Sequence, residues 1–100
     1  MNTNKKDQKK IYKYTVYVIE LDNPMTVYIG QSCWSPEERF KRHRSGIKSS
    51  KYVRKASNPK LRPDLYKHLP IFDKRVDAEK KEVSYAVELE KRGFKVFGGH

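Results

Sequence analysis

Residues 14–43 read YTVYVIELDNPMTVYIGQSCWSPEERFKRH. Tyr14, Val16 and Val18 alternate with Thr15, Tyr17 and Ile19. This period-2 pattern of β-branched and aromatic residues predicts a strand. Leu21-Asp22-Asn23-Pro24 is turn chemistry. Val27, Tyr28 and Ile29 open a second strand, and Gly30 ends its bulky run. Ser35-Pro36-Glu37-Glu38 starts a helix, with Ser35 as N-cap, Pro36 at the first helical position and Glu38 closing a capping box. Arg39 and His43 stand four residues apart and share one face of that helix. Phe40 and Ile47 mark the apolar stripe beside them, and Gly46 is its stop. Two inner tyrosines next to a helix offering an arginine and a histidine are more than a scaffold needs.

Around this unit the chain is short and basic. One hundred residues make one small domain, and 36% hydrophobic content fits a modest core. Twenty-three Lys and Arg against twelve Asp and Glu give a net charge of +11. That balance favours a polyanionic partner, nucleic acid first and an anionic membrane surface second. No apolar run approaches the roughly 18 residues of a membrane span. MNTNKKDQKK has no apolar signal-peptide core. Cys33 is the only cysteine, so the chain forms no internal disulfide and no cysteine zinc cluster, and it suits a reducing cytoplasm.

Residues 1–13 hold five lysines and read as a basic flexible tail, with the folded domain over 14–100. Residues 41–62 carry nine Lys and Arg and no acid. A charge run is usually a solvated face, but one without a balancing carboxylate suits phosphates. Lys41, Arg44, Lys48, Lys51, Arg54, Lys55 and Arg62 are the nucleic-acid contacts expected there, with Tyr52 as a base-stacking ring. Residues 50–56 form a short helix in this reading. Leu65 to Val76 is expected as a third extended region, with Pro70 at an edge or end. Asp77 is the expected cap of a second long helix that runs to about Arg92 and stops at Gly93. Its apolar stripe holds Ala78, Tyr85, Ala86 and Leu89, and Glu82 falls inside it. An inward carboxylate is costly unless something pairs it. A salt bridge would answer that cost; so would a bound metal ion or a role as a catalytic acid.

Tyr28-Ile29-Gly30, with Tyr17, Arg39 and Glu82, resembles the GIY-YIG nuclease domain over about residues 13–100. The first half-motif departs from that pattern, since Val16-Tyr17-Val18 stands where Gly-Ile-Tyr is expected. Phe97-Gly98-Gly99 stands where the family often has an asparagine. The ending Gly98-Gly99-His100 is similar to a compact standalone subgroup. The resemblance implies an α+β fold with a small central sheet, about three-stranded and mainly antiparallel, flanked by helices. It implies a DNA endonuclease of low sequence specificity that uses one Mg²⁺ or Mn²⁺ held by Glu82. Arg39 would meet the non-bridging phosphate oxygens, and Tyr28 would hydrogen-bond phosphate or water. Tyr17 or His43 would be the general base. The substrate would be DNA, whether single-stranded, structured or duplex. The alternative is a non-catalytic nucleic-acid-binding domain that keeps the nuclease fold.

Overall fold

A computed structural model describes residues 13–46 and 49–99. The expected tail apart from Lys13, together with Ile47, Lys48 and His100, lies outside the described residues. The elements in chain order are β1 (Thr15–Glu20), β2 (Thr26–Ser32), α1 (Pro36–Ser45), α2 (Lys51–Lys55), β3 (Lys60–Leu61), α3 (Pro63–Tyr66), α4 (Arg75–Lys91) and β4 (Lys95–Gly98). One four-stranded sheet has the order β3-β1-β2-β4.

The hairpin forms as its sequence dictates. β1 and β2 pair antiparallel from Thr15↔Ser32 to Glu20↔Val27. Asn23 makes the turn: its Oδ1 accepts from the Met25 amide at 2.9 Å and from the Thr26 hydroxyl at 3.1 Å. Alternation does not become an inside and an outside, because Val16 to Leu21 are all buried. Helices cover the sheet on both faces, so both residue sets of β1 are interior.

α1 starts and stops where its caps predict. The Ser35 hydroxyl accepts from the Glu38 amide at 3.1 Å, Pro36 opens the first turn, and Gly46 closes the helix at φ 87°. α4 begins earlier than the sequence suggests. Lys74 is its N-cap, without a side-chain cap bond, and Asp77 lies in the first turn. There its carboxylate faces the positive end of the helix dipole.

The third and fourth strands correct the expected layout. Residues 65–76 are not a strand. Pro63 starts the single turn α3 instead, Leu65 and Tyr66 are buried, and the later segment contributes only a bridge between Phe72 and Tyr14. Two residues, Lys60 and Leu61, pair with Glu20 and Ile19 as the edge strand. On the other side β4 pairs parallel to β2, Thr26↔Lys95 to Ile29↔Gly98. The class is α+β with flanking helices as expected, and the sheet is four-stranded and mixed. Ala78, Tyr85, Ala86 and Leu89 give α4 a buried stripe, and the hydroxyl of Tyr85 donates to the carbonyl of Leu65. Among the described residues no helix is long and apolar enough to cross a membrane.

Candidate active site

Strand register brings the two tyrosines together. Directly opposed antiparallel partners share a face. Tyr17 faces Gly30 and Ile19 faces Tyr28, so both phenols lie on one side of the hairpin. Gly30 makes room: a Cβ there would stand 2.6 Å from Tyr17 Oη and 2.8 Å from its Cζ. Only a hydrogen at that position lets the Tyr17 ring cross the strand.

α1 crosses this face and delivers His43, fully buried, against Tyr17. Tyr17 Oη and His43 Nε2 are 2.9 Å apart. Tyr28 meets the same imidazole edge-on, with centroids 5.6 Å apart. On the far side of the ring the Ser50 amide donates to Nδ1 at 3.1 Å. A backbone N–H can only donate, so Nδ1 carries a lone pair. Burial first, and then the positive charge of Arg39, hold the imidazole neutral by lowering its pKa to about 4. The neutral ring must then carry its proton on Nε2, which donates to Tyr17 Oη.

Both phenols are harder to ionise than a free tyrosine. For Tyr17 burial is the main cause; Tyr28 and Glu82 add to it, while Arg39 opposes through its charge and a hydrogen bond. For Tyr28 burial again leads, followed by the charge of Glu82. Glu82, on α4, is therefore near enough for its charge to act on both tyrosines. Tyr17, Tyr28 and His43 are thus in contact, and the charges of Arg39 and Glu82 reach both phenols.

Glu82 is 8% exposed. Its Oε2 accepts from the Gly99 amide at 2.9 Å. Gly99 has φ 81°, and a Cβ on it would lie 2.6 Å from the Cβ of Ala86. A glycine is thus what lets the segment after β4 reach the carboxylate. Sequence reasoning left the role of Phe97-Gly98-Gly99 unfilled; a backbone amide carries no side-chain signal. Among the described residues no cluster of three or more His, Cys, Asp or Glu surrounds Glu82. A single hard carboxylate, oriented by an amide, still fits an ion such as Mg²⁺, which keeps several waters and takes one or two protein oxygens.

The basic residues divide. Lys41, Arg44, Lys51, Arg54 and Lys55 are exposed. Arg62 is committed inside the protein instead. Its Nε and Nη2 bind Asp64 at 3.1 and 3.0 Å, and its Nη1 binds Glu20 at 3.1 Å and the Pro24 carbonyl at 3.0 Å. It holds the hairpin turn to the segment after β3, so its guanidinium is engaged by groups of the protein. Tyr52 stacks on Phe97, with centroids 4.5 Å apart, and so ties α2 to β4.

The family model for the GIY-YIG catalytic domain matches residues 13–95. No curated protein and no solved structure matches the chain.

Proposed function

The chain belongs to the GIY-YIG family of nuclease domains, and we propose that it is a metal-dependent DNA endonuclease of low sequence specificity. The observation that carries this reading is the hydrogen-bonded series Ser50–His43–Tyr17, set beside Arg39 and Glu82. A domain that only bound nucleic acid would have no use for a buried, tautomer-fixed imidazole aimed at a phenol.

Each group has one task. Arg39 presents a planar, permanently charged fork to the non-bridging oxygens, where charge grows during attack. Tyr28 hydrogen-bonds phosphate or water. Glu82 is the residue that would hold one Mg²⁺ or Mn²⁺. When bound, such an ion supplies positive charge at the leaving oxygen. Tyr17 is the better choice as base. Nδ1 of His43 is occupied by the Ser50 amide and Nε2 already carries a proton, so the imidazole has no site left for one. The N–H of His43 steadies Oη as it takes on negative charge. The resting phenol orients the attacking water; before Tyr17 can accept that water's proton, its own must pass to solvent water, since neither nitrogen of His43 can take it. Arg39 favours that loss, and neutralising Glu82 would remove one of the charges opposing it.

Lys41, Arg44, Lys51, Arg54 and Lys55 would track the phosphate backbone, an expectation extended to Lys48. The single exposed Cys33 suits a cytoplasmic protein. The test is a cleavage assay on single-stranded and duplex DNA with Mg²⁺, with Mn²⁺ and with EDTA. Cleavage with either ion that EDTA abolishes is the expected result. DNA binding without cleavage under all conditions would leave a nucleic-acid-binding domain that keeps the fold.

A further inference from the structure

At the end of β2, sharing Arg39 with the group above, lies a cleft that neither the fold nor the reaction above requires. It encloses about 320 Å³ and is lined by Gln31, Trp34, Arg39, Arg42 and Arg75 among others. We infer that this cleft is a subsite for one unpaired nucleotide of the DNA strand next to the phosphate being cut. Placing that nucleotide beside the scissile phosphate rests on the nuclease reading; the binding chemistry of the cleft does not.

Three kinds of group meet there. The first is a flat ring. Trp34 is 45% exposed, a large fraction for an indole. The Ser32 hydroxyl accepts from the Trp34 amide at 2.9 Å and fixes the turn that presents the side chain. Arg42 lies over the ring, 3.8 Å from its centroid, and holds it in place. Arg42 covers one face of the indole, and the surface that the ring still exposes in a basic cleft is what an unstacked base uses.

The second is a set of guanidinium groups drawn from two helices. Arg39 and Arg42 come from α1 and Arg75 from the first turn of α4. Arg42 and Arg75 are each oriented by a carboxylate four residues away in the helix. Their Nε atoms face Glu38 at 3.6 Å and Glu79 at 3.1 Å. Arg75 donates from Nε to Glu79, whereas Arg42 Nε makes no hydrogen bond among the described residues. A fork steadied at Nε, as in Arg75, can turn its outer N–H groups to phosphate oxygens. Arg39 belongs to both the cleft and the catalytic group, so a strand lying in one continues into the other.

The third is an amide edge. Oε1 of Gln31 is buried and has no hydrogen-bond partner among the described residues. A buried acceptor without a donor is destabilising. An amino or imino N–H on the edge of a base would supply that donor.

Size and shape choose the occupant. A space of about 320 Å³ is at the lower end for small-ligand pockets. It takes one nucleotide and not a base pair. A base inside a duplex also has both faces covered by its neighbours, so only an unpaired or extruded base can present a face to Trp34.

The chain carries its own reporter, because Trp34 is its only tryptophan. The full chain in EDTA is titrated with a short labelled single strand, and with the same sequence as a blunt duplex. Tryptophan emission and label anisotropy are followed together. The single strand is expected to quench Trp34 saturably, in step with binding, and the duplex to leave the emission nearly unchanged. Trp34→Ala should weaken single-strand binding roughly tenfold, the loss of one stacked base, Gln31→Ala should weaken it through the lost acceptor for the base edge, and both should leave duplex binding unchanged. Wild-type emission already decides if a variant fails to fold. Single-strand binding that leaves Trp34 silent, equal quenching by the duplex, or no single-strand binding at all would each overturn the subsite. The cleavage assay is read separately. Cleavage with a silent Trp34 sinks the subsite and spares the nuclease reading, whereas quenching without cleavage does the reverse.

Discussion

Glu20 and Glu82 are both 8% exposed, and they sit in different surroundings. Glu20 ends β1 and is closed by cations: Arg62 at 3.1 Å on one oxygen and Lys60 at 3.7 Å on the other. Its charge is spent on joining the edge strand to the hairpin. Glu82 sits mid-way along α4, takes the Gly99 amide, and pushes up the pKa of two neighbouring phenols. Burial alone does not separate a structural carboxylate from a chemical one. The neighbours differ: Glu20 is tied to two cations at the sheet edge, whereas Glu82 takes a backbone amide and acts on two phenols.

Four changes would break or sharpen that contrast. Glu82→Gln keeps size and helix propensity and removes the carboxylate that would hold an ion. Cleavage should fall by about 10³-fold or more, the scale of several kcal/mol of lost charge stabilisation. DNA binding should persist, and the denaturation midpoint should hold or rise. Normal cleavage by this folded variant would remove Glu82 from the chemistry. Glu20→Gln should do the converse. Arg62 keeps Asp64 and the Pro24 carbonyl, so losing the Glu20 charge should destabilise by about 1 kcal/mol, the scale of one weakened charge-assisted hydrogen bond. Cleavage per folded molecule should not change, and a loss of activity without a loss of stability would make Glu20 a chemical residue as well.

Tyr17→Phe tests the phenol on which Glu82 acts. It should slow cleavage by about 10²-fold, the lower range for losing a general base. It should also cost about 1 kcal/mol, because the N–H of His43 loses its acceptor. Cleavage at the normal rate would shift the base to a water-derived hydroxide or to His43. The smallest effect concerns acid. His43 has its pKa lowered from 6.5 to about 4, so between those values the unfolded chain binds more protons than the folded one. Stability is therefore retained above about 6.5 and lost as the pH falls toward about 4. Urea midpoints across that window should slope for the wild type and flatten for His43→Gln. An equal slope in both would trace the acid response to carboxylates.

What could be read in advance was local. The hairpin, the Ser35 and Gly46 caps and the inward position of Glu82 follow from neighbours within a few residues. Arg39 and His43 share a face by helix geometry alone. What escaped depends on distant partners. Lys60-Leu61 is too short for any periodicity, and it is a strand only because Glu20 and Ile19 are there to pair with it. Residues 65–76 looked extended, but Pro63 favours a helical turn and the burial of Tyr66 completes it. Arg62 looked like its basic neighbours until Glu20, 42 positions earlier, took its Nη1. The tautomer of His43 hangs on an amide seven residues on, which no side-chain pattern announces.

The parallel pairing of β2 with β4 joins segments separated by about 70 positions, the kind of contact that forms slowly. The hairpin and α1 can assemble early, because their contacts are short-range. Glu82 receives its amide from Gly99 only once β4 has docked. Under the proposed nuclease reading, hydrolytic competence would then wait on the docking of β4. A partly folded molecule would hold the tyrosines and the arginine without an oriented carboxylate, and would be harmless to the DNA around it.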